Sequence, residues 1–220
     1  MEYILSPSLL ACDFSIIGEE LEQLEDAGVK WLHLDVMDGQ FVDNISFGLP
    51  VIGSIRRKTN LFFDVHLMIT EPIRFVERFA RAGADLISFH VEATNRVQET
   101  IDSIHSLGLK AGVVCSPDTD VHEILKYADQ VELLLIMSVQ PGFGAQTYLE
   151  HCTEKIRQAR QYLTEHSLTA HLEVDGGINA SNLRTILEAG ADVIVAGNAA
   201  FCGGNIVANV KALKEAGTRS

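Results

Sequence analysis

Short, almost continuous apolar runs alternate along this chain with longer amphipathic stretches. The runs lie near residues 3–10, 29–36, 60–67, 85–91, 109–115, 131–138, 171–175 and 192–197. Val, Ile, Leu and Phe fill them with little polar alternation, the pattern of strands covered on both faces, as in a parallel sheet. The stretches between them read as helices. After the first run, Ile16, Ile17, Leu21 and Leu24 recur at three- and four-residue steps, with Glu19, Glu20, Glu22 and Glu25 between them. Ser181 is expected to N-cap the next-to-last helix, ahead of Leu183, Ile186 and Leu187. The helix ends repeat as well. Ala27-Gly28-Val29, Ala82-Gly83-Ala84, Leu107-Gly108-Leu109 and Ala189-Gly190-Ala191 each place glycine where a helix closes on a left-handed residue, and a strand begins directly afterwards.

Eight strand–helix units spaced roughly 27 residues apart, with no linker or break in composition, are an internal repeat. They predict an α/β fold: a single (β/α)8 TIM barrel over residues 1–220, its parallel eight-stranded sheet closed on itself. An open doubly wound sheet is the other arrangement, but no G-x-G-x-x-G follows the first strand. The tail from Ala216 to Ser220 is expected to fray.

Composition narrows the function classes. With 47% hydrophobic and 21% charged residues the chain can bury a large core, which excludes disorder. A net charge of −13 argues against nucleic-acid binding and against a polybasic membrane surface. No apolar window approaches the length of a membrane span, and the Met1–Pro7 start lacks the basic segment of a signal peptide. Cys12, Cys115, Cys152 and Cys202 form no C-x-x-C pair and read as buried, reduced thiols of a cytoplasmic protein.

In a TIM barrel the chemistry sits at the C-terminal ends of the strands. The second run carries His33 and Asp35, two residues apart and so on one face of a strand. The third ends with His66 and the seventh with Asp175. A buried, unpaired carboxylate costs several kcal/mol, so His-x-Asp in an apolar strand points to a partner. Two imidazoles and two carboxylates suit one divalent metal ion, Zn²⁺ first, with Fe²⁺, Mn²⁺ or Co²⁺ admissible. His90 ends the fourth run and could line the same mouth. His171 belongs at the opposite end of the barrel, and His105, His122, His151 and His166 read as solvent-exposed. Three glycine-bearing segments follow the sixth, seventh and eighth runs: Pro141-Gly142-Phe143-Gly144-Ala145, Asp175-Gly176-Gly177-Ile178 and Ala196-Gly197-Asn198-Ala199. Such loops let backbone N–H groups approach a phosphate. Met37, Met68 and Met137 each fall at a strand end and suggest a soft, polarizable lining.

Ser6-Pro7-Ser8-Leu9-Leu10-Ala11-Cys12-Asp13-Phe14, His33-Leu34-Asp35-Val36-Met37-Asp38-Gly39, Asp64-Val65-His66-Leu67-Met68, Pro141-Gly142-Phe143-Gly144 and Val174-Asp175-Gly176-Gly177-Ile178 together resemble the ribulose-phosphate 3-epimerase family, in order along essentially the whole chain. The resemblance implies interconversion of D-ribulose 5-phosphate and D-xylulose 5-phosphate in the pentose phosphate pathway, by an enzyme that is commonly a homo-oligomer. It implies that His33, Asp35, His66 and Asp175 hold one metal ion, and that Asp35 and Asp175 are also the acid/base pair. It further implies that Ser8 and His66 touch the sugar, that Gly142, Phe143, Gly144, Ala145, Gly176, Gly177, Gly197 and Asn198 surround the phosphate, and that Met37, Met68 and Met137 cap the planar intermediate.

The chemistry fits independently, because inverting a carbon beside a ketone needs one acid/base group on each face. Against the family pattern, Gln140 stands for Asn, Ala145 for Gly, Asp43 for Pro and Asn198 for a small Ser; a backbone N–H can serve at Ala145 if that residue avoids positive φ. The alternatives are a sister 3-epimerase acting on a hexulose 6-phosphate such as D-allulose 6-phosphate, and a non-catalytic sugar-phosphate-binding barrel, which would lack a carboxylate. A related barrel decarboxylase would need Asp-x-Lys-x-x-Asp where Asp64-Val65-His66-Leu67-Met68-Ile69-Thr70 stands.

Overall fold

Each apolar run becomes a strand, trimmed at its ends. The computed structural model describes residues 3–218. Its strands are β1 (Ile4–Pro7), β2 (Trp31–Met37), β3 (Phe62–Met68), β4 (Leu86–His90), β5 (Lys110–Cys115), β6 (Leu133–Met137), β7 (His171–Asp175) and β8 (Val193–Ala196). Every pairing is parallel, in the order β1-β8-β7-β6-β5-β4-β3-β2, and a parallel bridge between Ser8 and His33 brings the two ends of the sheet together. The helices are α1 (Ile17–Asp26), α2 (Leu49–Ile55), α3 (Val76–Ala82), α4 (Val97–Ser106), α5 (His122–Leu125), α6 (Cys152–Glu165), α7 (Leu183–Ala189), α8 (Asn198–Phe201) and α9 (Ile206–Thr218). This is the (β/α)8 TIM barrel that the repeat predicts.

The period of two along each strand divides the core. Leu32, Leu34 and Val36 of β2 face outward and join Phe63, Val65 and Leu67 of β3 in the large cluster that also takes the helices' apolar faces. Trp31, Leu86, Leu133, Leu135 and Val193 pack together in a second, smaller cluster. The alternate β2 and β3 positions bring His33, Asp35, Asp64 and His66 into one face of the sheet, all of them buried. Aliphatic side chains dominate most barrel interiors. Here Ser6, His33, Asp64, Ser88 and Glu173 are fully buried polar residues instead.

The four helix-ending glycines behave as their spacing implies: Gly28, Gly83, Gly108 and Gly190 have φ between 71° and 118°. Three expectations need correction. Ser181 does not cap α7. Asn179 organises that turn: its Oδ1 accepts from the backbone N–H and the hydroxyl of Ser181 at 2.9 and 2.5 Å, and its carbonyl accepts from Leu183 N–H at 3.0 Å. An Asn side chain reaches the N–H two residues on, so it outcompetes Ser181 for the turn; two further helices, α8 and α9, also follow α7. The tail does not fray at Ala216, since α9 continues to Thr218 with Gly217 against the Tyr3 ring; Arg219 and Ser220 lie outside the described residues. The cysteines are all free, but only Cys115 and Cys152 are buried; Cys12 is half-buried and Cys202 exposed. No helix among the described residues is long and apolar enough to cross a membrane.

Candidate active site

Strand register assembles the site. β2 places His33 beside Asp64 and Asp35 beside His66 on β3, while Asp175 at the end of β7 lies between Met137 of β6 and Val195 of β8. The side chains converge across the barrel. His33 Nε2 is 3.3 Å from Asp35 Oδ1, 3.3 Å from His66 Nδ1 and 3.9 Å from Asp175 Oδ2, and His66 Nδ1 is 3.3 Å from Asp35 Oδ1. One donor atom from each of the four residues lies within 4.8 Å of the others. Tetrahedral bonds of about 2.0–2.1 Å put ligand atoms roughly 3.4 Å apart, so these separations suit a small divalent ion.

Each member of the set is held from behind. Ser8 caps the turn over Leu9–Ala11 by accepting from Leu10 N–H at 3.3 Å, and its hydroxyl donates to Asp35 Oδ2. That leaves Asp35 Oδ1 facing the imidazoles. His33 Nδ1 lies 2.6 Å from Asp64 Oδ2 and 3.7 Å from Glu173 Oε1. The His66 Nε2 atom is 3.0 Å from His90 Nε2. Ser46 Oγ donates to the Asp35 carbonyl at 2.5 Å and accepts from Met37 N–H at 3.0 Å, fixing the end of β2. Ser138 Oγ does the same for β7, donating to the carbonyls of Asp175 at 2.9 Å and Gly176 at 2.8 Å.

These surroundings separate the acid strengths. Burial opposes charge on His33, yet the carboxylates of Asp35 and Asp64 carry its pKa well above the ordinary range. Burial also works against the Asp35 carboxylate, and the His33 and His66 imidazoles overcome it, holding Asp35 far below the usual carboxylate range. For Asp175, burial and the Asp35 charge act together and push it up to about 7. Burial brings His66 down to about 4. Glu173 is raised well above the ordinary range by burial and by the Asp64 charge. Two carboxylates facing one space, one held low and one raised towards neutrality, have the separated acid strengths that acid/base chemistry can use.

A cavity of about 570 Å³ opens above the set. Ser8, Asp35, Asp175 and all three methionines line it, as do Gly142, Phe143, Gly144, Ala145, Gly176, Gly177, Gly197 and Asn198. His33 and His66 lie beneath, fully buried. Met37, Met68 and Met137 are themselves nearly fully buried, so they present thioethers without polar atoms at the cavity floor. The loops are tightly specified. Gly177 has φ 66°, and a Cβ there would stand 2.3 Å from Tyr148 N. Gln146 braces the loop after β6 by donating to the carbonyls of Gln140 and Phe143 at 2.7 and 2.8 Å. Ala145 takes φ 56°, so it does adopt the left-handed region, at a cost of roughly 1 kcal/mol for a side chain with Cβ. A second hollow of about 680 Å³ at the start of β5 and β7 is lined by Asp102, His105, Lys110, Asp129, Glu132 and His171. It lies at the barrel end that carries stability rather than chemistry.

Asp64, Glu173, Ser46 and Ser138 are not reached by the sequence reading. The rule that pairs His33 with Asp35 would have found two of them, since Asp64 precedes His66 by two residues and Glu173 precedes Asp175 by two. His33, Asp64 and Glu173 form a second compact donor group. The serines carry no signal, because their function is to meet a carbonyl that folding brings to them.

A profile of the ribulose-phosphate 3 epimerase family matches residues 4–201. A Synechocystis protein named ribulose-phosphate 3-epimerase is 48% identical over 201 residues, covering 90% of this chain and 87% of its own length. The Treponema pallidum protein of the same name is 44% identical, covering 91% and 92%. A chloroplastic ribulose-5-phosphate-3-epimerase of Arabidopsis thaliana is 43% identical over 97% of this chain and 76% of its own length. Among solved structures, orotidine 5'-phosphate decarboxylase from Pyrococcus horikoshii superimposes with TM-score 0.72 at 14% identity, covering 99% of this chain and 100% of its own. A 3-hexulose-6-phosphate synthase superimposes with TM-score 0.67 at 19% identity, covering 98% and 99%. Those two likenesses carry the fold alone. With its family profile, its relatives and its buried pair of carboxylates in agreement, the chain is an enzyme that belongs to the ribulose-phosphate 3-epimerase family.

Proposed function

We propose that this enzyme inverts C3 of a ketose phosphate, interconverting D-ribulose 5-phosphate and D-xylulose 5-phosphate, with one divalent ion held by His33, Asp35, His66 and Asp175. The observation that carries the mechanism is that two carboxylates, Asp35 from β2 and Asp175 from β7, line one cavity from separate strands. An ionised Asp35 removes the C3 proton from one face, and a protonated Asp175 delivers a proton to the other; the reverse reaction exchanges the roles. Between the two transfers the substrate is a planar enediolate, which the three methionines cover without offering it a proton. A divalent ion, when bound, supplies Lewis acidity towards the substrate's oxygens. The two-imidazole, two-carboxylate donor set and its near-tetrahedral spacing favour Zn²⁺, with Fe²⁺, Mn²⁺ or Co²⁺ as further candidates.

The phosphate is placed at the loops after β6, β7 and β8, where the glycines let backbone N–H groups come close. Ser8, beside Asp35 and at the cavity wall, is placed to meet the sugar. His66 lies beneath the cavity, so any contact it makes with the sugar is at the floor. The 220 residues are taken as one domain.

Turnover of both sugars by purified enzyme tests the proposal, together with metal analysis of protein prepared without chelator. Exchange of the C3 hydrogen with solvent deuterium should accompany turnover of D-ribulose 5-phosphate. A kcat/KM for D-allulose 6-phosphate far above that for the pentulose would move the assignment to the six-carbon sugar. Unchanged turnover in Asp175→Asn would remove the two-carboxylate mechanism.

A further inference from the structure

The loop after β2 reaches across the cavity mouth to the loop after β6. Residues 38–46 leave β2 and fold back on themselves: Gly39 N–H donates to the Asn44 carbonyl at 2.9 Å, and Asp38 pairs with Ile45 in an antiparallel bridge. Asp38 ties this turn to both neighbouring strands. Its Oδ1 accepts from Gln40 and Phe41 N–H at 2.8 and 2.9 Å, and its Oδ2 accepts from Thr70 N–H, just past β3, at 2.9 Å. Val42 packs with Met37 and Met68, the last residues of β2 and β3. The loop is thus fastened to the strands that carry His33, Asp35 and His66.

From that base Asn44 reaches a residue 98 positions along the chain: its Nδ2 donates to the Gly142 carbonyl at 2.8 Å. The neighbours fix the orientation of the amide, because Oδ1 accepts from Ile45 N–H at 2.9 Å and leaves Nδ2 for the carbonyl. Val42 closes on the same residue. Gly142 has φ 119°, and a Cβ there would stand 3.2 Å from Val42 Cβ. Gly142 lines the cavity, whereas Val42 and Asn44 do not. Both therefore hold the loop from behind the cavity wall.

A trans peptide points its carbonyl and its N–H in opposite directions. With the Gly142 carbonyl drawn to Asn44, the N–H of Phe143 is turned away from the loop after β2. Gln146 repeats this one peptide on. It takes the Phe143 carbonyl, so the N–H of Gly144 is turned away from Gln146. Among the described residues no acceptor meets the N–H groups of Phe143, Gly144 and Ala145, and all three residues line the cavity. Successive N–H groups left without acceptors make a concavity suited to an anion.

We infer that Asn44 is a positioning residue for phosphate binding: by holding the Gly142 carbonyl it turns the N–H groups that follow towards the substrate's phosphate, and it fixes their loop relative to β2. This rests on the reading that places the phosphate at the loop after β6. Asn44 touches neither sugar nor phosphate, and its effect falls on binding rather than on proton transfer.

Asn44→Ala removes the donor. Asn44→Asp replaces it, at nearly the same shape, with an oxygen that can only accept, and keeps the contact with Ile45 N–H. The test compares both with wild type in turnover of D-ribulose 5-phosphate, in inhibition by inorganic phosphate, and in nitrogen-15 NMR of the backbone amides. Asn44→Ala should raise KM and the phosphate inhibition constant together, about 3- to 10-fold, the worth of one hydrogen bond, with kcat changed less than about twofold. Asn44→Asp should raise both at least as far. In wild type the amides of Phe143, Gly144 and Ala145 should shift when inorganic phosphate is added. Both constants unchanged in Asn44→Ala, or a loss confined to kcat, overturns the inference. So does an effect seen in Asn44→Asp alone, which would be charge repulsion and not a lost donor. Wild-type amides at these three residues that ignore inorganic phosphate would overturn the phosphate placement itself, and the inference with it. Wild-type amides that respond while the Asn44→Ala constants hold would overturn the inference alone.

Discussion

The two halves of the cavity are built from different materials. Around β2, β3 and β7 it is built from side chains, His33, Asp35, His66 and Asp175, which could together hold a metal ion and are braced by Ser8, Asp64, Ser46 and Ser138. Around the loops after β6, β7 and β8, it is built from the course of the backbone, with glycines at positive φ and Gln146 tying the loop to itself. The first half depends on charge and distance. The second depends on the absence of side chains. Substitutions should therefore fail in different ways in the two halves, one in the chemical step and the other in binding and stability.

The largest effect should come from Asp175→Asn. It removes the carboxyl raised to about 7 and one donor of the proposed metal set, so kcat should fall about 10³-fold in an assay with D-ribulose 5-phosphate. A loss under tenfold would show that the side-chain half is not where the proton transfers occur. Next comes Gly177→Ala. The added Cβ would meet backbone at 2.3 Å in a left-handed residue, so the urea midpoint should report about 2–3 kcal/mol of lost stability. KM should rise more than kcat falls, and the reverse pattern would break the division between the halves.

Metal removal sharpens the comparison through pH. In the metal-free fold, His33 is raised above 6.5, Asp175 is raised to about 7 and Glu173 is raised. Each then keeps a proton that the unfolded chain has released, so its contribution to stability fades as pH rises towards its folded value. His66, lowered to about 4, acts the opposite way, but only below pH 6.5. Above 6.5 the raised groups act unopposed. Urea midpoints of chelator-treated enzyme should fall with rising pH, by about 1 kcal/mol per pH unit for each group still titrating. Reloading with Zn²⁺ should flatten that slope and release protons, detectable as buffer-dependent heats of binding. A metal-free protein with no such slope would mean that the side-chain half holds no excess protons.

The smallest effect is expected from Ala145→Gly, which relieves the left-handed residue at φ 56°. The gain should be at most about 1 kcal/mol, partly offset by the greater freedom of the unfolded chain. A change in KM beyond about fivefold, which is more than 1 kcal/mol can produce, would show that the Ala145 methyl itself touches the sugar phosphate.

Much of this was legible before any coordinates. The eight strands, the glycine helix ends and the strand positions of His33, Asp35, His66 and Asp175 follow from periods of two and 3.6, which are local properties of the backbone. Ser181 does not serve α7 as a cap because its hydroxyl and N–H both turn back to Asn179 Oδ1, a choice the residue types alone leave open. Asp64 and Glu173 carry the same two-residue step, ahead of His66 and Asp175, but nothing in that step marks them as partners of His33. Their importance comes from meeting His33 across the sheet.

By itself the sequence determined the barrel, the family and the presence of His33, Asp35, His66 and Asp175 at strand positions, because period, composition and residue type act over a few neighbours. Only the tertiary structure decided which atoms of those residues face one another, that burial and charge shift the Asp35 and Asp175 carboxyls in opposite directions, and that Ala145 is left-handed. Those facts depend on distances between strands far apart in the chain. Proton positions and acid strengths respond to such distances over a few ångströms, a scale that no spacing along the sequence records.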